Sequence, residues 1–197
     1  MNWTAVVPLK CGPERKTRLA AALSPAEREA LSDQMAEHVL TVLKATPQIT
    51  IVLSLTPRPP HVADVLWIED KGRGLNEELT ALRATYGDAP LLIVHGDLPL
   101  LRVEDVSALL AAAEVQGAAL APDRLGQGTN ALALMPTSTG PFVFGAGSCF
   151  AHRTSISPSP VIVVREGLSH DVDTPEDLDL VVRLGATLGL SSPHCLA

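Results

Sequence analysis

LLIVHGDLPLL, residues 91–101, joins four consecutive aliphatic residues to a histidine, a glycine and an aspartate. A short apolar run bounded by turn residues reads as a strand buried on both faces, the kind that parallel sheets are built from. Asp97 follows where that strand ends, and in an open parallel sheet ligands bind outside the carboxyl ends of the strands. The pattern recurs in both directions. WTAVVPL (3–9) and ITIVLSL (49–55) read as buried strands, the second ended by the prolines of TPRPP, since proline cannot continue a hydrogen-bonded ladder. VLWI (65–68) is a weaker strand, and AALAP (118–122), ALALM (131–135) and VIVV (161–164) complete the set.

Helical spacing fills the intervals. Ser24-Pro25-Ala26-Glu27 supplies an N-cap, a first-turn proline and a capping-box glutamate, and Leu31, Met35, Val39, Leu40 and Leu43 continue at helical period. LNEELTALRATYG is a helix closed by Gly87, Val103 to Val115 is another, a short one follows FVFGAGS, and Glu176 to Leu188 is the last. Alternating strands and helices predict an α/β fold, a three-layer α/β/α sandwich with a mostly parallel sheet. Residues 1–190 are expected to form one domain, with 191–197 a flexible tail.

Composition agrees with that class. Apolar residues make up 46% of the 197, but aromatics only 3%, so Ala, Val, Leu and Ile must fill the core. The net charge of −7 argues against a nucleic-acid surface, which needs a broad excess of Lys and Arg. Cys11, Cys149 and Cys195 are scattered without paired ligand spacing, so neither a zinc site nor a disulfide framework is indicated. MNWTAVVPLK shows no charged leader before a long apolar core, and no run approaches membrane-spanning length, so a cytoplasmic protein is expected. A homodimer through an exposed sheet edge or helix face is compatible with the sequence.

The polar anomalies fall at strand ends. Lys10, Arg15, Lys16 and Arg18 lie within nine residues and suit a triphosphate, with Gly12 allowing close approach; a solvated basic loop is the alternative. Asp97 can hold Mg²⁺ or cap a turn. Asp171 and Asp173 precede a helix, where one carboxylate can cap while another binds metal, and Asp97 with Asp173 would supply ligands from separate strands. In GRGLNEEL, Gly72 and Gly74 would let a nucleoside approach backbone while Asn76 meets the base edge, or the stretch is an ordinary loop. APDRLGQGTNALAL (121–134) places Thr129 beside a strand, and Gly145, Gly147 and Ser148 open a helix, where hydroxyls and amides suit a phosphate or carboxylate. His95, His152 and His170 lie nearby and read as packing or surface residues.

Taken together and in order, PLK with KTRLA, GLNEEL, GDLPLL, PDRLGQGTNAL, FGAGS and DVDTPEDL resemble the 2-phospho-L-lactate guanylyltransferase family, from about Val6 to Leu188. Its bacterial branch includes phosphoenolpyruvate guanylyltransferases of coenzyme F-420 biosynthesis. GDLPLL and DTPEDL mark only the wider superfamily, whereas PDRLGQGTNAL followed by FGAGS is more specific. The resemblance implies a Rossmann-like nucleotidyltransferase domain of the glycosyltransferase-A-like type that uses GTP and Mg²⁺. It implies Asp97 and Asp173 as metal carboxylates, Lys10, Lys16 and Arg18 as triphosphate contacts, and Thr129, Gly145 and Ser148 as the phosphoacid site. The chain departs from the pattern at Ala146, where proline is common, and at Cys149, where an aromatic is common.

Phosphoenolpyruvate, 2-phospho-L-lactate and 3-phosphoglycerate differ by a double bond, a methyl or a hydroxymethyl group. Such differences are worth only about 1–3 kcal/mol in a pocket, so the sequence leaves the acceptor open. A nucleotidyltransferase acting on a molybdopterin cofactor or sugar phosphate, and a nucleotide-binding module without turnover, are the competing readings.

Overall fold

The computed structural model describes residues 1–10, 15–59 and 62–189. Seven strands, β1 (Trp3–Pro8), β2 (Ile49–Thr56), β3 (Leu66–Glu69), β4 (Leu91–Val94), β5 (Ala118–Pro122), β6 (Thr129–Leu134) and β7 (Val161–Ile162), form one sheet in the order β3-β2-β1-β4-β6-β5-β7. Every pairing is parallel except those of β6, which runs antiparallel to both β4 and β5. The helices are α1 (Pro25–Ala45), α2 (Leu75–Tyr86), α3 (Val103–Gln116), α4 (Ser148–Ser155), α5 (Glu166–Ser169) and α6 (Pro175–Arg183).

The two-residue period of the strands divides the core between two faces. Trp3, Ala5, Val7, Leu92, Val94, Ala119, Ala121, Ala131 and Ala133 face α1, α3 and α5. Their immediate neighbours, Val6, Leu91, Ile93, Ala118, Leu120, Leu132 and Leu134, face α2 and α4. Ala119, Ala121, Ala131 and Ala133 lie on the face covered by α3, while Leu120, Leu132 and Leu134 fill the other with Ala118. A third cluster, in which Leu31 and Met35 of α1 meet Leu178 and Val181, seats α6 beside α1. Truncating a buried leucine in such a core costs about 2–5 kcal/mol.

Local signals set the element ends. Ser24 Oγ accepts from Glu27 N at 3.3 Å while Glu27 Oε2 accepts from Ser24 N at 2.8 Å, the reciprocal box that starts α1. α6 stops at Arg183 rather than at the expected Leu188. Gly185, at φ 98, lets its own N–H reach Val182 O and that of Ala186 reach Val181 O, a Schellman closure. VIVV contributes only Val161–Ile162, because this edge strand follows Pro160 and has a partner on one side alone. β6 starts two residues earlier than expected, at Thr129. α5, only four residues long, is too short to show helical periodicity in the sequence. No helix among the described residues is long and apolar enough to cross a membrane.

Candidate active site

The carboxyl ends of β1, β2 and β4 open into a cleft of about 970 Å³. Because β6 runs the other way, its amino end, with Thr129 and Asn130, faces the same cleft. The lining includes Lys10, Lys16, Arg18, Gly72, Gly74, Asp97, Thr129, Gly145, Ser148, Asp171 and Asp173, which brings together residues that lie up to 163 positions apart. Gly12 and Cys11 lie outside the described residues, as does the predicted tail.

At one end Lys16 Nζ donates to Asp97 Oδ2 at 2.5 Å and to Asp173 Oδ1 at 2.7 Å. Lys16 itself sits at φ 51, a left-handed backbone that L-residues rarely hold without compensation. Burial disfavours its charge, but the two carboxylates more than offset this and hold its pKa above the ordinary lysine value. Asp97 shows the complement. Burial opposes its ionisation, and the Lys16 ammonium nevertheless keeps its carboxyl below the usual range. Arg18 Nη1 lies 3.6 Å from Asp173 Oδ2 on a side chain that is 73% exposed, and Lys10 is exposed at the rim. Arg15 is tied instead to α1, through Asp33 at 2.9 Å and Glu29 at 3.5 Å.

Asp171 completes an acidic triad with Asp97 and Asp173, one oxygen from each lying within 4.8 Å of the others. Burial, with the neighbouring Asp97 charge, raises Asp171 to about 6. Its Oδ1 accepts from Asn130 Nδ2 at 3.1 Å, and the same amide reaches Leu168 O at 3.0 Å, so Asn130 straps the 168–171 segment to β6. Helix capping falls to other groups. Thr174 Oγ1 accepts from Asp177 N at 3.3 Å, and Asp177 Oδ2 accepts from Thr174 N at 3.0 Å, so Asp171 and Asp173 face the cleft. The all-oxygen donor set and the buried, unpartnered Asp97 Oδ1 fit a hard divalent cation.

The glycine loop before α2 is held by a residue that the sequence did not single out. Glu78 is buried and accepts from Lys71 N, Arg73 N and Arg73 Nε at 3.0, 3.2 and 3.1 Å, and from Arg73 Nη2 at 2.7 Å. The Arg73 guanidinium pulls its pKa down to about 2. Gly72 and Gly74 thereby border the cleft, but Asn76 does not line it. Its Nδ2 donates to Phe144 O at 3.1 Å and its Oδ1 accepts from Phe144 N at 2.8 Å, so the amide predicted to meet a base edge clasps the 142–145 segment instead.

At the other end Asp123 shapes the loop between β5 and β6, accepting from Gln127 N and Gly128 N, both at 2.8 Å. Thr129 Oγ1 lies 3.0 Å from His152 Nδ1, and His152 Nε2 accepts from Val143 N at 3.0 Å. Gly145, at φ 136, turns the chain with open space where a Cβ would project. The amides expected at the start of α4 are partly spent. Ser148 N bonds Gly145 O at 3.1 Å and Cys149 N bonds Gln127 O at 3.0 Å, which closes the loop on itself. Phe144 stands between His95 and His152, with centroids at 5.4 and 4.7 Å, and forms the wall behind these groups.

The fold, a mostly parallel seven-stranded sheet between helices, is shared with solved transferases. A protein of Desulfovibrio desulfuricans described as a nucleotide-diphospho-sugar transferase superposes with a TM-score of 0.72 at 20% identity, over 92% of this chain and 87% of that one. A CMP:2-keto-3-deoxy-manno-octonic acid synthetase superposes at 0.56 with 13% identity, over 93% and 98% of the respective chains. The model of the family described as guanylyl transferase CofC like matches residues 3–187, and the chain belongs to that family. It is 42% identical to a phosphoenolpyruvate guanylyltransferase of Sphaerobacter thermophilus over 91% of this chain and 92% of that protein. It is 35% identical to one of Rubrobacter xylanophilus over 96% and 97%.

Proposed function

We propose that this guanylyltransferase moves GMP from GTP to the phosphate of phosphoenolpyruvate and releases pyrophosphate, a step of coenzyme F-420 biosynthesis. The observation that carries the reading is the two-ended cleft. A cation-and-carboxylate cluster suited to a triphosphate faces, across a shared floor, a hydroxyl-and-glycine pocket suited to a small acid. The relatives named above favour phosphoenolpyruvate over 2-phospho-L-lactate and 3-phosphoglycerate.

In this reading Lys10, Lys16 and Arg18 take the β- and γ-phosphates, Gly72 and Gly74 border the nucleoside, and Thr129, Gly145 and Ser148 hold the acceptor. An oxygen of the acceptor phosphate attacks the α-phosphorus of GTP. A new P–O bond forms, the bond from the α-phosphorus to the bridging oxygen breaks, and pyrophosphate departs with the electron pair. The attacking oxygen is already ionised at neutral pH, so no general base is needed, and alignment with charge neutralisation carries the step. Asp97 and Asp173, with Asp171 beside them, would hold Mg²⁺, which when bound supplies positive charge to the polyphosphate. Lys16, which bridges Asp97 and Asp173, would place its ammonium toward the charge of the departing pyrophosphate.

Pyrophosphate release measured with GTP, ATP or CTP against each of the three acids tests the reading. Release with GTP and phosphoenolpyruvate is the expected result. Release with another acid alone would reassign the acceptor, and GTP binding without release from any of them would sink the enzymatic reading.

A further inference from the structure

We propose that His152 is a positioning residue that fixes the Thr129 hydroxyl as a hydrogen-bond donor toward an anionic oxygen of the bound acid. The inference rests on the reading that the acceptor occupies the Thr129 end of the cleft, and it adds a group that does not itself line the cleft.

A threonine hydroxyl rotates and can donate or accept, so by itself it does not distinguish an anion from a neutral donor. At Thr129 that freedom is removed. Val143 N–H points at His152 Nε2 at 3.0 Å, and a backbone amide can only donate, so Nε2 carries no proton. A neutral imidazole then holds its proton on Nδ1, 3.0 Å from Thr129 Oγ1. That Nδ1–H is shared between Oγ1 and the Ser148 carbonyl, which also bonds the ring; a protonated Nδ1 cannot accept, so the hydroxyl proton of Thr129 must be aimed at something else. His152 is fully buried and Thr129 nearly so, and Thr129 borders the cleft.

The ring cannot readily turn to reverse this assignment. Phe144 meets it edge-on at 4.7 Å, and α4 anchors its backbone. Burial also holds its pKa down to about 4, so the ring is neutral at the pH where such an enzyme works. The chain His152 Nδ1–H to Thr129 Oγ1 to ligand therefore runs one way. It suits a carboxylate or phosphate oxygen and penalises any ligand that presents N–H or O–H at that point. Histidine reads as packing in the sequence because its partners, Val143 and Thr129, are 9 and 23 positions away.

The tautomer is read first, on the wild-type protein without substrate, from long-range proton–nitrogen NMR correlations of His152. Protonation on Nδ1 is expected, and protonation on Nε2 would overturn the proposal. Kinetics then separate positioning from mere support. H152F keeps the ring shape without either nitrogen and should raise KM for the acid about tenfold, roughly the value of one hydrogen bond to a charged group, while KM for GTP stays unchanged. H152N restores a donor near the Nδ1 position and should recover most of that loss. In a T129V background, H152F should add nothing further. Equal rises in both KM values, no recovery with asparagine, or additive effects with T129V would each overturn it. If no acid supports turnover in the wild-type protein, the acceptor assignment fails, while the tautomer still decides the His152 assignment on its own.

Discussion

Lys16 Nζ donates to Asp97 Oδ2 at 2.5 Å, an ion pair that joins the loop after β1 to the end of β4 across 81 positions of sequence. Asp97 thus faces two ways, with Oδ2 on the ammonium and Oδ1 buried and unpartnered. Asp97→Asn keeps the shape of the side chain and removes its charge, while Lys16 retains Asp173. Turnover should fall at least about 100-fold, the scale of losing one electrostatic group from a preorganised site. The melting temperature should stay within a few degrees of wild type. Near-normal turnover in the folded variant would remove Asp97 from the site.

Asn76 offers a test that separates two roles. If it reads a base, Asn76→Ala should erode the preference for GTP over ATP. The structure spends its amide on both backbone groups of Phe144, so we expect the preference to survive and KM for the acid to rise about tenfold, as the 142–145 wall loosens. Loss of base selectivity with unchanged acid KM would return Asn76 to the nucleotide.

That residue also shows where the sequence stops being legible. Strands such as LLIV and helices such as the one opened by Ser24-Pro25 were readable, because their periodicity and caps are local properties. The direction of β6 was not, since a strand pattern is symmetric and only its partners, β4 and β5, make it antiparallel. That reversal is what carries Thr129 and Asn130 to the cleft. Asp97, Lys16 and Asp173 stood out because charges at strand ends are anomalous beside buried strands. Glu78 and His152 did not, because a helical glutamate or histidine is unremarkable until the backbone and side-chain groups it meets outside its own helix are known.

Gly145 and Gly147 should tolerate alanine unequally. Gly145 sits at φ 136, where L-residues are strongly disfavoured, and Gly147 at φ 70, the left-handed region they occasionally visit. No atom lies within 4 Å of a Cβ built at either, so the cost is backbone strain alone. Gly145→Ala should cost about 2–3 kcal/mol and Gly147→Ala about 1 kcal/mol, read by chemical denaturation. The reverse order would show that φ at these two positions does not set the cost.

His152 makes stability pH-dependent in a definite direction. Its folded pKa of about 4 lies below the ordinary histidine value of 6.5, owing first to burial, so the unfolded chain binds more protons between these values. The stabilisation is fully present above about pH 6.5 and is lost as pH falls toward 4. Between pH 7 and 4.5 wild type should lose about 2 kcal/mol more than His152→Asn, measured by urea denaturation at each pH. Parallel losses in the two proteins would mean that the ring is solvated enough to charge in place.

Lys16 is the positive charge that the acidic triad contacts most closely, so removing it should expose the triad's appetite for a cation. In Lys16→Met the three carboxylates, with oxygens within 4.8 Å of one another, lose the ammonium that bridges two of them, and in EDTA the variant should melt below wild type. Millimolar MgCl₂ should then raise its melting temperature more than it raises that of wild type, because in wild type the ion must first displace the ammonium and in the variant it need not. Turnover should nonetheless stay low, since in the proposed mechanism Lys16 meets the charge of the leaving group. Equal magnesium shifts in the two proteins would place the cation away from Asp97 and Asp173, and full turnover in Lys16→Met would leave Lys16 with a structural role alone.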